Sequence, residues 1–208
     1  MDPLCYFWNS PQDYLLIGQA MVGHVSRMRR NQGNENLWFL EHFPLYTQGA
    51  GCHDAIPGTL PFPFFPSTRG GKITFHGPGQ RIIYVMIDLK KRGVSIHQYI
   101  FLLEQWIINV LYHYGLQAER FPPHTGVWLG KAKIAAIGLY VQGGITSHGI
   151  ALNVTVSLEP FSYISPCGLF LPVTRLSDWV PYPKPKELDR VLVKTCPFLS
   201  VPCTKSFF

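Results

Sequence analysis

The most regular alternation of apolar and polar positions runs from Ser95 to Gly115. Ser95-Ile96-His97-Gln98 has the Ser-x-x-Gln form of a capping box, in which each of the two side chains bonds the other residue's backbone N–H. Behind it Ile96, Tyr99, Ile100, Leu103, Trp106, Ile107, Val110, Leu111 and Tyr114 recur at spacings of three and four. This predicts a helix with a broad apolar face that stops at Gly115. Its nearly all-round apolarity predicts deep burial against a sheet.

A second stripe, Tyr14, Ile17, Met21, Val25 and Met28, predicts a helix opened by Ser10-Pro11-Gln12-Asp13 and closed near Arg29, Arg30 and Asn31. Strands are predicted at Leu37 to Leu40 and at Arg81 to Leu89. From Thr125 to Val156, the runs Val127 to Leu129, Ile134 to Val141 and Ile150 to Val156 alternate with glycine turns. That pattern predicts an antiparallel meander. Glu41 to Gly49 reads as a loop, and residues 49 to 66 as an irregular segment packed down by Phe62, Phe64 and Phe65. Pro160 to Pro172 forms a loop around Cys167, Val173 to Val180 a turn or short helix, and Lys186 to Thr195 a helix after a proline breaker.

One stretch follows neither period. Arg69-Gly70-Gly71-Lys72-Ile73-Thr74-Phe75-His76-Gly77-Pro78-Gly79-Gln80 holds four glycines around a short β-prone run. Glycine is favoured where backbone turns sharply or approaches something closely, and by itself the stretch reads as a hairpin with two tight turns.

With 208 residues, 47% hydrophobic and 14% charged, the chain suits one well-buried domain and is far from the composition of a disordered one. Its formal charge of +6 favours an anionic partner. The cations are scattered, with no basic tract or nucleic-acid motif, so no nucleic-acid partner is expected. Cys5, Cys52, Cys167, Cys196 and Cys203 are odd in number and lack paired spacing, which fits reduced thiols in the cytoplasm. No apolar run reaches membrane-spanning length, so no membrane partner is expected, and zinc-ligand spacing is lacking.

Three groups stand out chemically. Pro166-Cys167-Gly168 has the form of a nucleophile mount, with amides after the glycine available as oxyanion donors; the alternative is a buried, inert thiol. Lys133 enters a small apolar strand; it is either a solvated strand end or, if turned inward, a cation that favours a thiolate. His76 and His148 sit in matching glycine contexts, and a Cys-His hydrolase remains open beside two structural histidines.

Taken together, Glu41 to Gly49, Arg69 to Gln80, Lys133 to Gly138, Thr146-Ser147-His148-Gly149-Ile150-Ala151-Leu152-Asn153-Val154 and Pro166-Cys167-Gly168 resemble, in this order, the lipoyl(octanoyl) transferase family. The resemblance spans Asp13 to Trp179. It implies an α+β fold of the biotin/lipoate ligase class, a largely antiparallel or mixed sheet flanked by helices, with residues 1–180 as catalytic domain and 181–208 as an extension of it.

The activity implied is transfer of an octanoyl group from octanoyl-acyl carrier protein to a lysine of lipoyl domains, in 2-oxoacid dehydrogenase E2 subunits and glycine cleavage H protein. It implies a thioester on Cys167, with Lys133 as acid/base. It also implies a substrate pocket from Arg69, Gly70, Gly71, Lys72, Ile73, Thr74, Phe75 and His76, with His76 facing the thioester, and from Ala136, Ile137, Gly138, Gly149, Ile150 and Ala151. His148 and Asn153 would support it. No cofactor or metal is expected, and the enzyme is expected to act as a monomer. Thr68, Tyr140 and Thr155 depart from the family, which has an acid, a base and an acid there. The alternatives are an ATP-dependent lipoate or biotin ligase and a non-catalytic carrier-binding module.

Overall fold

Two sheets divide the strands. The computed structural model describes residues 2–52, 58–164, 172–181 and 183–200, with the backbone of 206–207. In chain order the elements are β1 (Leu4–Gln12), α1 (Tyr14–Arg29), β2 (Asn36–His42), β3 (Leu45–Gln48), β4 (Phe64–Pro66), β5 (Thr74–His76), β6 (Gln80–Met86), α2 (Leu89–Arg92), α3 (Ile96–His113), β7 (Glu119–Phe121), β8 (His124–Leu129), β9 (Ala132–Gln142), β10 (Ile145–Asn153), α4 (Pro185–Thr195) and β11 (Ser206–Phe207). The large sheet has the order β11-β1-β2-β6-β10-β9-β8-β7, and the small one β4-β3-β5. β1 runs parallel to β2 and β11. From β2 onward the neighbours are antiparallel, so the sheet is mixed and the β8-β9-β10 meander is as expected.

α3 forms because its ends are satisfied locally. Gln98 N donates to Ser95 Oγ at 3.2 Å, and Ser95 N to Gln98 Oε1 at 2.9 Å. At the other end Gly115 has φ +76°, and Gly115 N and Leu116 N donate to Tyr112 O and Leu111 O, a Schellman closure. Burial, however, is confined to one face: Tyr99, Leu103, Trp106, Ile107, Val110 and Leu111 enter the core, while Ile96, Phe101 and Tyr112 are exposed. The all-round burial expected from composition is therefore corrected. The Phe101 ring is covered by the Arg120 guanidinium, 3.8 Å from its centroid, so apolar area on that side is shielded without a sheet. α4 packs on α3, with Trp106 Nε1 donating to Leu192 O at 2.9 Å.

α1 begins later than expected. Asp13 is its N-cap, its carboxylate accepting from Leu16 N at 2.9 Å, while Ser10, Pro11 and Gln12 end strand β1. Proline is tolerated there because β1 shifts register between Phe7 and Pro11. The helical stripe is as expected: Ile17, Met21, Val25 and Met28 are buried on Trp38, Leu40, Ile82 and Tyr84.

β3 and β4 arise in segments expected to be loops, and together with β5 they cover a third cluster containing Tyr46, Ile73, Phe75 and Phe161. β5 and β6 lie in different sheets, so the glycine-rich stretch is a crossing between sheets, not a hairpin. Gly79, at φ +83°, makes the crossing: its carbonyl accepts from Val154 N, Thr155 N and Val156 N, and a Cβ there would come within 2.5 Å of Thr155 Oγ1. Among the described residues no helix is long and apolar enough to cross a membrane.

Candidate active site

Beyond α1, the same face of the large sheet on which α1 packs is unusually low. On β10 and its neighbours the rungs are Tyr84–Gly149–Gly138, then Ile82–Ala151–Ala136, then Gln80–Asn153. Strand side chains alternate between faces, so these positions share one side, and two of the three rungs carry only glycine or alanine on β9 and β10. The trough they leave is roofed by the small sheet and by residues 69–74, enclosing a cavity of about 330 Å³. That lies at the small end for ligand sites.

Arg69, Gly70, Gly71, Lys72, Ile73, Thr74, His76, Lys133, Ala136, Ile137, Gly138, His148, Gly149, Ile150, Ala151 and Asn153 all line the cavity. Phe75 does not. Alternation in β5 turns it to the opposite side, against Tyr46, Phe62 and Phe161. Gln80, the last residue of the glycine-rich stretch, lines it too, and Tyr14, Ile82, Tyr84, Thr125, Phe161 and Val173 line the cavity without having been expected there.

Arg69 is buried on the roof. Its guanidinium donates to Thr47 O and Thr47 Oγ1, both at 2.8 Å, and to Gly70 O at 3.0 Å. Burial pulls its pKa down, yet guanidinium stays charged in proteins. Three neutral histidines surround it. Burial pushes His76 down to about 3, and His42 and His148 to about 4, with the Arg69 charge adding to the effect at His76 and His148. His42 Nδ1 donates to Gln12 O at 3.0 Å, which leaves Nε2 to accept from the Tyr84 hydroxyl at 2.8 Å. His76 has both nitrogens engaged, with Gln80 Oε1 at 2.7 Å and Thr47 Oγ1 at 3.2 Å, so it has no nitrogen left to face a thioester. His148 adopts φ +59°, uncommon for a residue with a side chain, and its Nε2 meets Thr68 Oγ1 at 3.0 Å. Thr68 thus gives the His148 ring a hydroxyl partner.

Lys133 stands at the opposite end of the trough, five residues or roughly 17 Å of strand from Gly138. Its Nζ donates to Thr125 O at 3.0 Å and lies over the Trp128 ring, 4.8 Å from the centroid. Its backbone pairs with the chain that re-enters after residue 171: Lys133 N donates to Pro172 O at 2.8 Å and Thr174 N to Lys133 O at 3.0 Å. Cys167 lies outside the described residues. Phe161 before its segment and Val173 after it both line the cavity, and Val173 bridges to Lys133. Among the described residues, Cys5, Cys52 and Cys196 are buried.

The residues missed by sequence are those whose role depends on distant pairing. Thr47 reaches Arg69 across 22 positions and Tyr84 reaches His42 across 42. The available signal was period-2 alternation along β6, which places Gln80, Ile82 and Tyr84 on one face once its partner strands are known.

Comparison with known proteins gives a consistent picture. Residues 20–196 match the family described as the lipoyl protein ligase A/B catalytic domain. An octanoyltransferase of Neisseria meningitidis is 43% identical over 179 residues, covering 85% of this chain and 86% of the relative. One from Zymomonas mobilis is 41% identical over 163 residues, covering 76% and 75%. In fold, the chain is similar to a bipartite lipoate protein ligase of Thermoplasma acidophilum, with TM-score 0.73 at 15% identity over 100% of this chain and 88% of that one.

Proposed function

The chain belongs to the lipoyl protein ligase A/B catalytic domain family, and on that footing we propose that it works as an octanoyltransferase through a thioester on Cys167. The enzyme is a transferase acting in protein lipoylation, as its octanoyltransferase relatives at 41 and 43% identity are named, and its protein substrate is a lipoyl domain. Octanoyl-acyl carrier protein is the donor, and E2 lipoyl domains and glycine cleavage H protein are the acceptors, in the cytoplasm.

The observation that carries this reading is the trough with Lys133 at its end. Two rungs of glycine and alanine leave room for an unbranched acyl chain, and Lys133 pairs with Pro172 and Thr174, where the described chain resumes after the Cys167 segment. In the first half-reaction the Cys167 Sγ proton passes to Lys133 Nζ, and the thiolate attacks the octanoyl thioester carbonyl. The bond to the carrier sulfur breaks as Lys133 gives that proton to it, so the carrier leaves as a thiol and Lys133 is again neutral. In the second, a neutral lipoyl-domain lysine amine attacks the acyl-Cys167 carbonyl and gives a proton to Lys133. The C–Sγ bond breaks and that proton returns to Cys167. Backbone amides following Cys167 are the oxyanion donors. A thioester is already activated, so no ATP enters either half. The net charge of +6 steers acidic carrier and lipoyl domains toward the enzyme.

The test is transfer from octanoyl-acyl carrier protein to a lipoyl domain in nucleotide-free buffer. Turnover that is independent of ATP and lost in Cys167→Ala supports the reading; transfer that needs octanoate and ATP, or that survives Cys167→Ala, contradicts it.

A further inference from the structure

Beneath the trough, two buried amides close a chain of hydrogen bonds whose direction is forced. Asn153 Nδ2 faces the main-chain carbonyl of Thr174 at 3.0 Å, and Gln80 Nε2 faces that of Phe75 at 3.3 Å. A carbonyl only accepts, so both amide orientations are fixed. Asn153 Oδ1 therefore accepts from Gln80 Nε2 at 2.9 Å, and Gln80 Oε1 accepts from His76 Nδ1 at 2.7 Å. A ring protonated on Nδ1 alone must accept at Nε2, so Thr47 Oγ1 donates there and accepts in turn from Arg69. The chain runs one way from the roof of the pocket to Thr174.

Thr174 is where this chain meets the reacting end. Its N–H donates to Lys133 O, and Lys133 N donates to Pro172 O, the first described residue after the Cys167 segment. Asn153 is thus the side-chain link between the pocket floor and the backbone bridge that holds Lys133.

We propose that Gln80 and Asn153 are positioning residues for octanoyl transfer, holding Thr174 and through it the Lys133 backbone in register with the acyl trough. This rests on the assignment of Cys167 and Lys133 as the reacting pair. Asn153→Asp replaces a donor by an oxygen facing the Thr174 carbonyl, so the two repel and the bridge shifts. A misplacement of about 1 Å costs up to about 100-fold in rate, whereas the glycine and alanine rungs that leave room for the acyl chain are unchanged. The expected result is kcat lower by about 10- to 100-fold with KM for octanoyl-acyl carrier protein unchanged. Asn153→Asp and Gln80→Glu that match wild type in kcat, or that raise KM alone, would overturn the proposal.

A second measurement needs neither a variant nor turnover. Nitrogen-15 NMR of the His76 ring in the wild-type protein is expected to show a protonated Nδ1 and a bare Nε2 at neutral pH. The opposite tautomer, or an imidazolium, would overturn the relay. Because this readout is independent of catalysis, it separates failure of the relay from failure of the thioester assignment.

Discussion

Arg69 lies across Gly138, so closely that a Cβ built on Gly138 would come within 2.9 Å of Arg69 Cδ and 3.3 Å of Gly70 O. The arginine stem occupies the space that a side chain on β9 would take, and this seats the roof of the pocket on its floor. The glycine at 138 is therefore a packing requirement, and the position of Arg69 depends on it.

Gly138→Ala is expected to lift Arg69 from the floor and to break its bonds to Thr47. Octanoyl transfer should lose kcat/KM by about tenfold or more, in line with about 1–3 kcal/mol for overpacking, with a small fall in melting temperature. Gly149→Ala should be worse for folding, because its Cβ would lie 2.2 Å from Ile83 O, inside the β6–β10 ladder. Thermal unfolding of both variants distinguishes the two effects.

Arg81 and Asp189 tie α4 to the large sheet through two parallel bonds of 2.9 Å, in a nearly dry site. Removing one partner strands the other charge, at a cost of about 3–5 kcal/mol. Asp189→Ala should show that loss in urea unfolding, as a single transition. A transition in which α4 melts separately from the sheet would mean that residues 181–200 are not part of the same cooperative unit.

The buried histidines give stability a pH dependence of definite sign. His42, His76 and His148 titrate near 6.5 when unfolded and at about 4, 3 and 4 when folded. Their depressed values mean the unfolded chain binds more protons below pH 6.5. Stability is thus full above that pH and is lost as pH falls toward 4, by about 1.4 kcal/mol per pH unit for each ring. Melting temperatures recorded from pH 7.5 to 5 should fall steadily, and a flat profile would contradict the neutral-ring assignment.

Lys133→Arg keeps a long basic side chain over Trp128, but an arginine supplies no group that accepts a proton near neutral pH. Formation of the octanoyl adduct should slow by about 100-fold or more, while the melting temperature stays within a degree or two of wild type. An arginine variant that acylates at the wild-type rate would remove Lys133 from the proton path.

What the sequence disclosed was whatever a few neighbouring residues decide. The capping box at Ser95 and Gln98, the Gly115 closure and the meander all depend on contacts within one element or one turn, and all are found. β1 was missed because Ser10-Pro11 carries a helix-start signal that a parallel strand with a register shift overrides. Phe75 was assigned to the pocket because its motif is contiguous, whereas a strand sends adjacent residues to opposite faces. Thr47 and Tyr84 were invisible as site residues because each matters only through a partner that the fold brings from another sheet or strand. The segment 165–171 lies outside the described residues, so the nucleophile assignment stands on its motif and on the pocket that flanks it.

The most direct measurement of the central claim is the intact mass of the enzyme after brief exposure to octanoyl-acyl carrier protein without acceptor. The account predicts one octanoyl increment, labile to hydroxylamine, mapping to Cys167 and absent from Cys167→Ala. An unmodified wild-type mass under conditions of active transfer, or an equal increment on Cys167→Ala, would contradict it.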